Sequence, residues 1–251
     1  MKISFAHALV TGGATGIGRA IALELANAGM EVTICGRRAE PLEKVAAEHP
    51  RLHALTADVT DEASMESLYE KAQAERGPID VVVANAGIAS SAPAHKTTLQ
   101  EWTRILDVNL TGAFLTVRPA LKGMADRGKG RVIFVASVAG LRGAAYVAPY
   151  VASKHGVIGL TRALAAELLK KGVTVNAICP GYVETEMLEE SIRRVMEKTG
   201  RSEAEARQGF AEINPNHRLV QPEEVAAAAL WLVSDTAISV TGEAIPLSGG
   251  A

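Results

Sequence analysis

Short apolar runs alternate with longer amphipathic stretches along almost the whole chain. The apolar runs, rich in Val, Ile, Leu and Ala, are typical of strands buried in a parallel sheet, and they occupy residues 6–10, 31–35, 52–56, 80–84, 131–136, 173–179 and 243–247. The stretches between them repeat apolar residues at helical spacing, and they occupy residues 17–28, 41–49, 62–76, 99–125, 150–171 and 222–233. Gly29 and Gly172 each follow such a stretch and indicate where those helices end.

The alternation of strand and helix indicates the fold class. No linker-like change of composition and no internal repeat interrupts residues 1–251, so we predict a single domain. Successive β-α units joined by right-handed crossovers form a mostly parallel, doubly wound α/β sheet. Such a sheet binds ligands at the carboxyl ends of its strands, which directs attention to the residues that follow each apolar run.

Residues 186–221 depart from this alternation. They mix apolar residues such as Met187, Leu188, Ile192 and Phe210 with dense charge and show no strand pattern. A long insert between two regular elements is typical of a segment that covers a binding site. We therefore expect a helical lid over the substrate, with a solvated decoration as the alternative.

Composition and charge narrow the classes of function. Hydrophobic residues make up 48% of the chain but aromatic residues only 4%, which suits a parallel sheet under closely packed helices. The net charge of −2 and the absence of a basic block argue against a nucleic-acid partner. No apolar run reaches the roughly 18 residues of a membrane span, and a strand-like run already begins by His7, which leaves no room for a signal peptide. We expect a cytoplasmic protein with no membrane partner.

Cysteine and histidine give no sign of a metal. Cys35 and Cys179 each close an apolar run and are interpreted as small buried residues rather than a disulfide or metal pair. The six histidines lack the spacing of a ligand cluster. A metal-dependent hydrolase is therefore not favoured.

A glycine-rich segment follows the first apolar run. Thr11-Gly12-Gly13-Ala14-Thr15-Gly16-Ile17-Gly18 opens an amphipathic stretch. Strand, glycine loop and helix in this order present backbone amides and a helix dipole to an anion. The spacing differs from the G-x-G-x-x-G fingerprint, and no Lys-Ser/Thr pair follows as in a P-loop. The segment nevertheless favours a site for the pyrophosphate of a dinucleotide.

The end of the second strand bears on the choice of dinucleotide. An acidic residue here would hold the ribose hydroxyls of NAD, but the chain places Gly36, Arg37 and Arg38 there. With glycine there, no side chain accepts a hydrogen bond from the ribose 2′-hydroxyl of NAD. The negative charge that would repel a 2′-phosphate is also absent. The guanidinium of Arg37 can pair with that phosphate, with Arg38 as a weaker donor. We expect NADP(H) as cofactor, with NAD(H) as the less favoured alternative.

Tyr150 and Lys154 form the candidate proton-transfer pair. On a helix they lie one turn apart on the same face. An ammonium held there favours the phenolate, so we expect a pKa for Tyr150 below its usual value near 10. Ser137, at the end of the fifth strand, can offer its hydroxyl to the same substrate oxygen.

Taken together these motifs resemble the short-chain dehydrogenase/reductase family, and the resemblance covers essentially the whole chain. Six motifs occur in the family's order: the glycine loop at Thr11–Gly18, the acid Asp58, Asn85-Ala86-Gly87, Asn109 with Ser137, Tyr150 with Lys154, and Pro180-Gly181 with Thr185. The departures are Ala84 where the family's N-N-A-G begins and Ser248 where an Asp usually precedes the last glycines. Members of this family have a Rossmann-type fold.

The resemblance implies a role for each residue. Tyr150 would be the general acid or base, and Lys154 would lower its pKa and bind the nicotinamide ribose. Ser137 would orient the substrate oxygen, and Asn109 would hold a water linking Lys154 to solvent. The implied cofactor-binding residues are Gly12, Thr15, Gly16, Ile17, Gly18, Arg37, Arg38, Asp58, Val59, Asn85, Ala86, Gly87, Tyr150, Lys154, Pro180, Gly181, Val183 and Thr185.

Substrate and assembly complete the expectations. Val138, Leu141, Val147, Tyr182 and Met187 would line an apolar pocket suited to a hydrophobic or 3-oxoacyl-type ketone. The family pairs the two helices at 99–125 and 150–171 across a two-fold axis, so we expect a homodimer or homotetramer. The apolar face expected at that contact comprises Val157, Leu160, Ala163, Leu164 and Leu168.

Two alternatives remain open. One is an NAD-dependent secondary alcohol or 3-hydroxyacyl dehydrogenase of the same family. The other is a non-catalytic dinucleotide sensor, which needs the glycine loop but has no use for Ser137, Tyr150 and Lys154 together.

Overall fold

A computed structural model describes residues 2–250, in which seven strands form one sheet. The strand order is β3-β2-β1-β4-β5-β6-β7, and every neighbouring pair is parallel. The strands are β1 (His7–Thr11), β2 (Glu31–Gly36), β3 (Leu52–Thr56), β4 (Val81–Ala84), β5 (Gly130–Val135), β6 (Val173–Pro180) and β7 (Ala244–Leu247). The predicted doubly wound sheet is confirmed, and its order reverses between β1 and β4, where such folds form a ligand crevice.

Helices cover both faces of the sheet. They are α1 (Gly16–Asn27), α2 (Ala39–Ala46), α3 (Glu62–Arg76), α4 (Leu99–Leu106), α5 (Gly112–Arg127), α6 (Ala148–Leu168), α7 (Glu186–Thr199), α8 (Glu203–Ile213) and α9 (Pro222–Val233). Successive residues of a strand point to opposite faces. In β1, Leu9 joins the apolar layer under α3, α5 and α6, whereas Ala8 and Val10 join the layer under α1, α2 and α9. Burial on both sides explains why the strands appear as continuous apolar runs.

The predicted single helix over residues 99–125 is wrong in one respect. A π-helical turn, Asp107–Thr111, separates α4 from α5. Asn109 lies in this turn and its side chain bonds to a neighbouring loop. The wider turn therefore occurs where a buried polar side chain leaves the helix, and such turns are frequent at functional sites.

The insert at residues 186–221 is helical, as predicted. It forms α7 and α8, which bury a small apolar cluster of their own containing Leu188, Ile192, Ala206, Ala211 and Leu219. Arg207 of α8 connects its parts through ion pairs with Glu184, with Glu189 at 2.5 Å and with Glu203 at 3.3 Å. We call α7 and α8 with the turn that follows them the lid; that they cover a substrate stays a prediction.

The apolar face expected for subunit pairing is mostly used inside the protomer. Three of these α6 residues, Val157, Leu164 and Leu168, are buried, because the face of the helix that carries them packs on the sheet. Leu160 is half-buried and Ala163 is exposed. The homodimer or homotetramer therefore stays a prediction, and of the five residues expected at the contact only Leu160 and Ala163 are not buried within the protomer. Within residues 2–250, none of the helices has the length and apolar character needed to cross a bilayer.

The buried His7 predicts how stability depends on pH. Its Nδ1 donates to the carbonyl oxygen of Gly77 (3.0 Å), and its Nε2 accepts from the hydroxyl of Thr33 (2.9 Å). Burial lowers the pKa of His7 below its ordinary value of 6.5. The unfolded chain then binds this proton more tightly than the folded one, so the free energy of unfolding should fall as pH drops below about 6.5. Denaturant titrations between pH 5 and pH 8 measure this slope.

The matched control is His7→Gln, which keeps a donor and an acceptor but does not titrate. It should be less stable at neutral pH and show a shallower dependence on pH in the acidic range. Equal slopes for the two proteins would show that other groups control acid stability.

Candidate active site

The loop between β1 and α1 depends on glycine. Gly12 and Gly16 have φ of +66° and +49°, in the left-handed region that glycine adopts without strain. A Cβ on Gly18 would lie 2.2 Å from the carbonyl oxygen of Gly12. The start of α1 can therefore pack directly on the end of β1 only because position 18 has no side chain.

The N-terminus of α1 fits an anionic group. Its N-cap Thr15 makes no side-chain capping bond, and its first turn holds no acidic residue. The first backbone amides of a helix have no partner within the helix, and the dipole favours negative charge there. The residues present therefore fit the pyrophosphate of a dinucleotide, and its binding here stays a prediction.

Asn85 braces this loop from β4. Its Nδ2 donates to the carbonyl oxygens of Thr11 (2.9 Å) and Gly12 (3.2 Å). The hydroxyl of Thr11 accepts in return from the backbone amides of Asn85 and Ala86, at 3.1 and 3.2 Å. The side chain of Asn85, a predicted cofactor-binding residue, therefore holds the glycine loop in shape.

The ends of β2 and β3 meet beside this loop. Arg37 and Arg38 are exposed, and a Cβ on Gly36 would have Leu42 as its nearest contact at 4.0 Å. The backbone amide of Thr60 chiefly lowers the pKa of Asp58, and the nearby positive charge of Arg37 lowers it further. Asp58 and Arg37 are thus brought to one place at the sheet edge, as a site for the adenosine end of a dinucleotide requires.

Two of the predicted cofactor-binding residues have side chains that are buried in the protein. Val59 is buried and packs where a Cβ on Gly112 would lie. Val183 is buried and forms an isolated bridge with Val220. Only the backbone of either residue is left to meet a ligand.

Ser137 and Tyr150 come together at the carboxyl end of β5. Ser137 Oγ accepts a hydrogen bond from the backbone amide of Ala139 at 3.1 Å and has a long contact of 3.5 Å with the carbonyl oxygen of Pro180. Tyr150, in the first turn of α6, is half-buried, and the hydroxyl of Ser137 is near enough to lower the pKa of its phenol. A hydroxyl and a phenol therefore face one point, where a substrate oxygen could bind both.

Lys154 is buried one turn further along α6. It is 5% exposed, and its Nζ donates to the carbonyl oxygen of Val135 at 2.9 Å. Loss of solvent lowers its pKa to about 8. Because this pKa lies above 7, the side chain remains mostly charged at neutral pH. The ammonium lies 5.6 Å from the centre of the Tyr150 ring.

The expected lowering of the Tyr150 pKa is wrong for this structure. Loss of solvent around the phenol raises its pKa above the ordinary value, and the nearby hydroxyl of Ser137 opposes this only in part. Lys154 directs its ammonium at a backbone carbonyl rather than at the phenol oxygen. Desolvation therefore exceeds the attraction that the spacing of the two residues suggested, and the neutral phenol is the form present at neutral pH.

Asn109 joins three segments behind this site. It is 1% exposed, accepts from the backbone amide of Ile88 (2.8 Å), and donates to the carbonyl oxygen of Ile88 (2.9 Å) and to the hydroxyl of Ser153 (3.1 Å). Ser153 in turn donates to the carbonyl oxygen of Tyr150 at 2.8 Å. The side chain thus braces the loop after β4 against α6, and the water-holding role stays a prediction.

The segment after β6 reaches the glycine loop. Thr185 lies against the glycine loop, with its Cγ2 3.0 Å from where a Cβ on Gly16 would be. Leu141 and Met187, two of the predicted pocket residues, are each 42% exposed, and Val138, Val147 and Tyr182 are half-buried.

Among residues 2–250, no group of three His, Cys, Asp or Glu side chains has the arrangement of a metal site.

Sequence reasoning missed Asn214. This residue follows α8, is 1% exposed and bonds to the backbone of Tyr182 beside the candidate site. No signal in the sequence marks it, because a polar residue within a highly charged insert has the pattern of a solvated one. Its burial arises only when the end of the lid folds back on the segment after β6.

Comparison with known proteins decides the family. The short chain dehydrogenase family profile matches residues 6–195, which include the glycine loop, Ser137, Tyr150 and Lys154. This chain belongs to the short-chain dehydrogenase family. The match is supported over the full length by curated members of the family.

Similar members of the short-chain dehydrogenase family include three bacterial reductases. A putative ketoacyl reductase of Streptomyces coelicolor is 38% identical and spans 97% of this chain and 95% of its own length. An acetoacetyl-CoA reductase of Rhizobium meliloti is 39% identical over 97% of both chains. A 3-oxoacyl-[acyl-carrier-protein] reductase of Aquifex aeolicus is 36% identical over 100% of this chain and 98% of its own.

Solved structures of the short-chain dehydrogenase family have the same fold. A single-residue variant of actinorhodin polyketide ketoreductase with NADPH superimposes with a TM-score of 0.95, at 37% identity, over 100% of this chain and 98% of that one. Levodione reductase superimposes with a TM-score of 0.92, at 35% identity, over 98% and 96%. The predicted fold class and family are therefore confirmed.

The close approach at Gly18 predicts the effect of adding a single methyl group. A Cβ there would also lie 2.4 Å from Asn85 Nδ2, so Gly18→Ala must displace the loop or its brace. We expect NADPH affinity to fall at least about tenfold, since loss of one good phosphate contact has that effect. Fluorescence titration with NADPH measures it. The matched control is Gly209→Ala on α8, where a Cβ would meet nothing within 4 Å; equal affinity in both variants would contradict the assignment.

Proposed function

We propose that this short-chain dehydrogenase reduces a hydrophobic or 3-oxoacyl-type ketone with NADPH, using Tyr150 as the general acid. The observation that carries the proposal is the convergence of Ser137, Tyr150 and Lys154 at the sheet edge that also holds the glycine loop. A dinucleotide sensor has no need of this convergence. The ketoacyl and acetoacetyl-CoA reductases among the similar proteins support the same class of substrate.

Tyr150 supplies the proton. A bound reduced nicotinamide supplies the hydride when present. Because desolvation raises the pKa of Tyr150, its phenol is protonated at neutral pH and can donate to the substrate oxygen. Oxidation of an alcohol would need the phenolate first, so the raised pKa favours reduction over the alternative dehydrogenase activity near neutral pH.

Ser137 and Lys154 assist this transfer. Ser137 Oγ accepts a bond from the Ala139 amide, and its own proton makes only a long contact of 3.5 Å with the carbonyl oxygen of Pro180. That proton can therefore be donated to a substrate oxygen beside Tyr150. Lys154 carries a positive charge at neutral pH, one helical turn from Tyr150. That charge offsets the negative charge left on the phenol oxygen after proton donation.

The apolar surface near Ser137 supports a hydrophobic substrate. Leu141 follows Ser137 closely along the chain, Met187 lies in the first turn of α7, and both are partly exposed. Exposed apolar side chains on two segments that flank the reacting residues can bury a hydrocarbon chain. The substrate carbonyl then lies at the polar end of the cleft, at Ser137 and Tyr150.

Tyr150→Phe should abolish turnover while cofactor binding is retained. The substitution removes the phenolic proton and keeps the packing of the ring. Lys154→Ala should impair both steps, because one ammonium serves the tyrosine and the proposed ribose contact. Steady-state rates with an activated ketone and titrations with NADPH separate the two effects. Retention by Tyr150→Phe of more than a few per cent of the unmodified rate would contradict the assignment of the acid.

NADPH should be preferred over NADH because of Arg37. One charge-assisted hydrogen bond to a 2′-phosphate corresponds to roughly 10- to 100-fold discrimination. The combined change Gly36→Asp with Arg37→Ala should shift the preference toward NADH, since position 36 has room for a side chain. The measurement is kcat/KM with each cofactor, and Arg38→Ala is the control expected to have a smaller effect. A higher value with NADH for the unmodified protein would refute the role of Arg37.

A further inference from the structure

The end of the lid is fastened to the site by one buried amide. Asn214 follows directly after α8, at the point where the lid turns back toward the sheet. Its side chain is 1% exposed in a segment whose neighbours at 215–218 are all exposed. Burying an amide is unfavourable unless its hydrogen bonds are made, so the partners of Asn214 indicate what it does.

All the partners of Asn214 are backbone groups. Its Oδ1 accepts from the amide of Tyr182 at 3.0 Å, and its Nδ2 donates to the carbonyl oxygens of Tyr182 at 3.0 Å and Arg218 at 2.7 Å. The side chain therefore binds both polar groups of one peptide residue, as a neighbouring strand would. Only an amide of this length offers an acceptor and two donors in that arrangement.

The contact leaves no space beside Gly181. A Cβ at this position would lie 2.2 Å from Asn214 Oδ1 and 3.0 Å from the Cβ of Ser248. Asn214 therefore lies directly over the α-carbon that precedes Tyr182. Position 181 requires glycine because the lid reaches the backbone here.

Tyr182 connects this contact to the reacting residues. Its ring packs on Phe210 of α8, with ring centres 4.9 Å apart and an angle of 49°. This tyrosine lies two residues after Pro180, whose carbonyl oxygen is 3.5 Å from Ser137 Oγ, and its phenol acts to raise the pKa of Tyr150. Tyr182 thus lies between the lid and the proton donor, with its backbone held by Asn214 and its ring held by Phe210.

We propose that Asn214 is a positioning residue, which acts through Tyr182 to place the substrate against Tyr150. By holding both backbone groups of Tyr182, it fixes the wall of the cleft opposite α6 at a set distance from the lid. This inference rests on the proposed ketone reductase function. It assigns a specificity role to a residue that does not itself touch the reacting atoms.

The first experiment compares Asn214→Ala and Asn214→Asp with Asn216→Ala and Asn216→Asp. Asn214→Asp retains the acceptor for the Tyr182 amide but loses both donations. Asn216 is the matched control, since it is exposed and makes no hydrogen bond within residues 2–250. We expect both Asn214 variants to lower kcat/KM for the ketone by about 10- to 100-fold, chiefly through KM, because the carbonyl oxygen of Tyr182 loses its donor and the segment is no longer held in place. The Asn216 variants should remain within about twofold.

NADPH affinity and a double-mutant cycle separate positioning from general damage. Most of the proposed cofactor contacts lie at β1, β2 and β3, and only the nicotinamide segment expected at residues 180–185 adjoins Tyr182. The dissociation constant of NADPH should therefore change far less than kcat/KM in either Asn214 variant. In a Tyr182→Ala background, Asn214→Ala should lower kcat/KM by only a few-fold more, since the ring it positions is gone. Additive losses in this cycle would overturn the inference, as would a lower melting temperature with unchanged kcat/KM.

A readout independent of turnover keeps the two proposals apart. Limited proteolysis should cut residues 186–221 faster in Asn214→Ala and Asn214→Asp than in the matching Asn216 variants, whether or not a ketone is reduced. If the unmodified protein reduces no ketone in a panel with NADPH, the proposed function fails while the proteolysis still tests the contact. Equal cleavage rates would overturn the positioning role. Should Asn214→Ala not fold, the isosteric Asn214→Asp decides the outcome alone.

Discussion

The parallel alignment of the strands is the constraint on which the rest of this structure depends. Because every strand runs in the same direction, the residues that follow β1, β4, β5 and β6 meet at one edge. The hydrogen bonds of Asn85 to Thr11 and Gly12 join the first two of these ends, and the contact of Ser137 with Pro180 joins the last two. Four segments that are far apart in the sequence are thereby joined at one edge by side chains that bond to neighbouring backbone groups.

Burial determines the chemistry that this edge can perform. The same loss of solvent raises the pKa of Tyr150 and lowers the pKa of Lys154 to about 8. Both shifts favour the neutral forms, which gives a protonated phenol beside a lysine that is still largely charged at neutral pH. The hydrogen bond of Lys154 to the carbonyl oxygen of Val135 explains why its charge does not act mainly on the phenol. A buried polar group is controlled first by its nearest hydrogen-bond partner and its solvation, and only then by spacing along a helix.

The lid joins this edge through polar contacts rather than through the main core. Its small apolar cluster is separate from the two layers that cover the sheet, and Arg207 unites its helices with the segment after β6. Asn214 then binds the backbone of Tyr182. A unit with its own small core and a few defined anchors is held in place without sharing the apolar layers of the sheet.

The sequence by itself determined the order of elements, the sheet class and the residues at the strand ends, because apolar periodicity and glycine at turns are local properties of the chain. It also singled out Ser137, Tyr150 and Lys154, through the helical spacing of Tyr150 and Lys154 and through the resemblance of the motifs to the family. Three features depended on the tertiary structure: the π turn at Asn109, the direction of the Tyr150 pKa shift and the burial of Asn214. Each results from contacts between segments far apart in the chain, where solvent is lost and a backbone partner becomes available. For the same reason Val157, Leu164 and Leu168, which seemed available for subunit pairing, are used within the protomer, because periodicity shows that a helix face is apolar but not what it packs against.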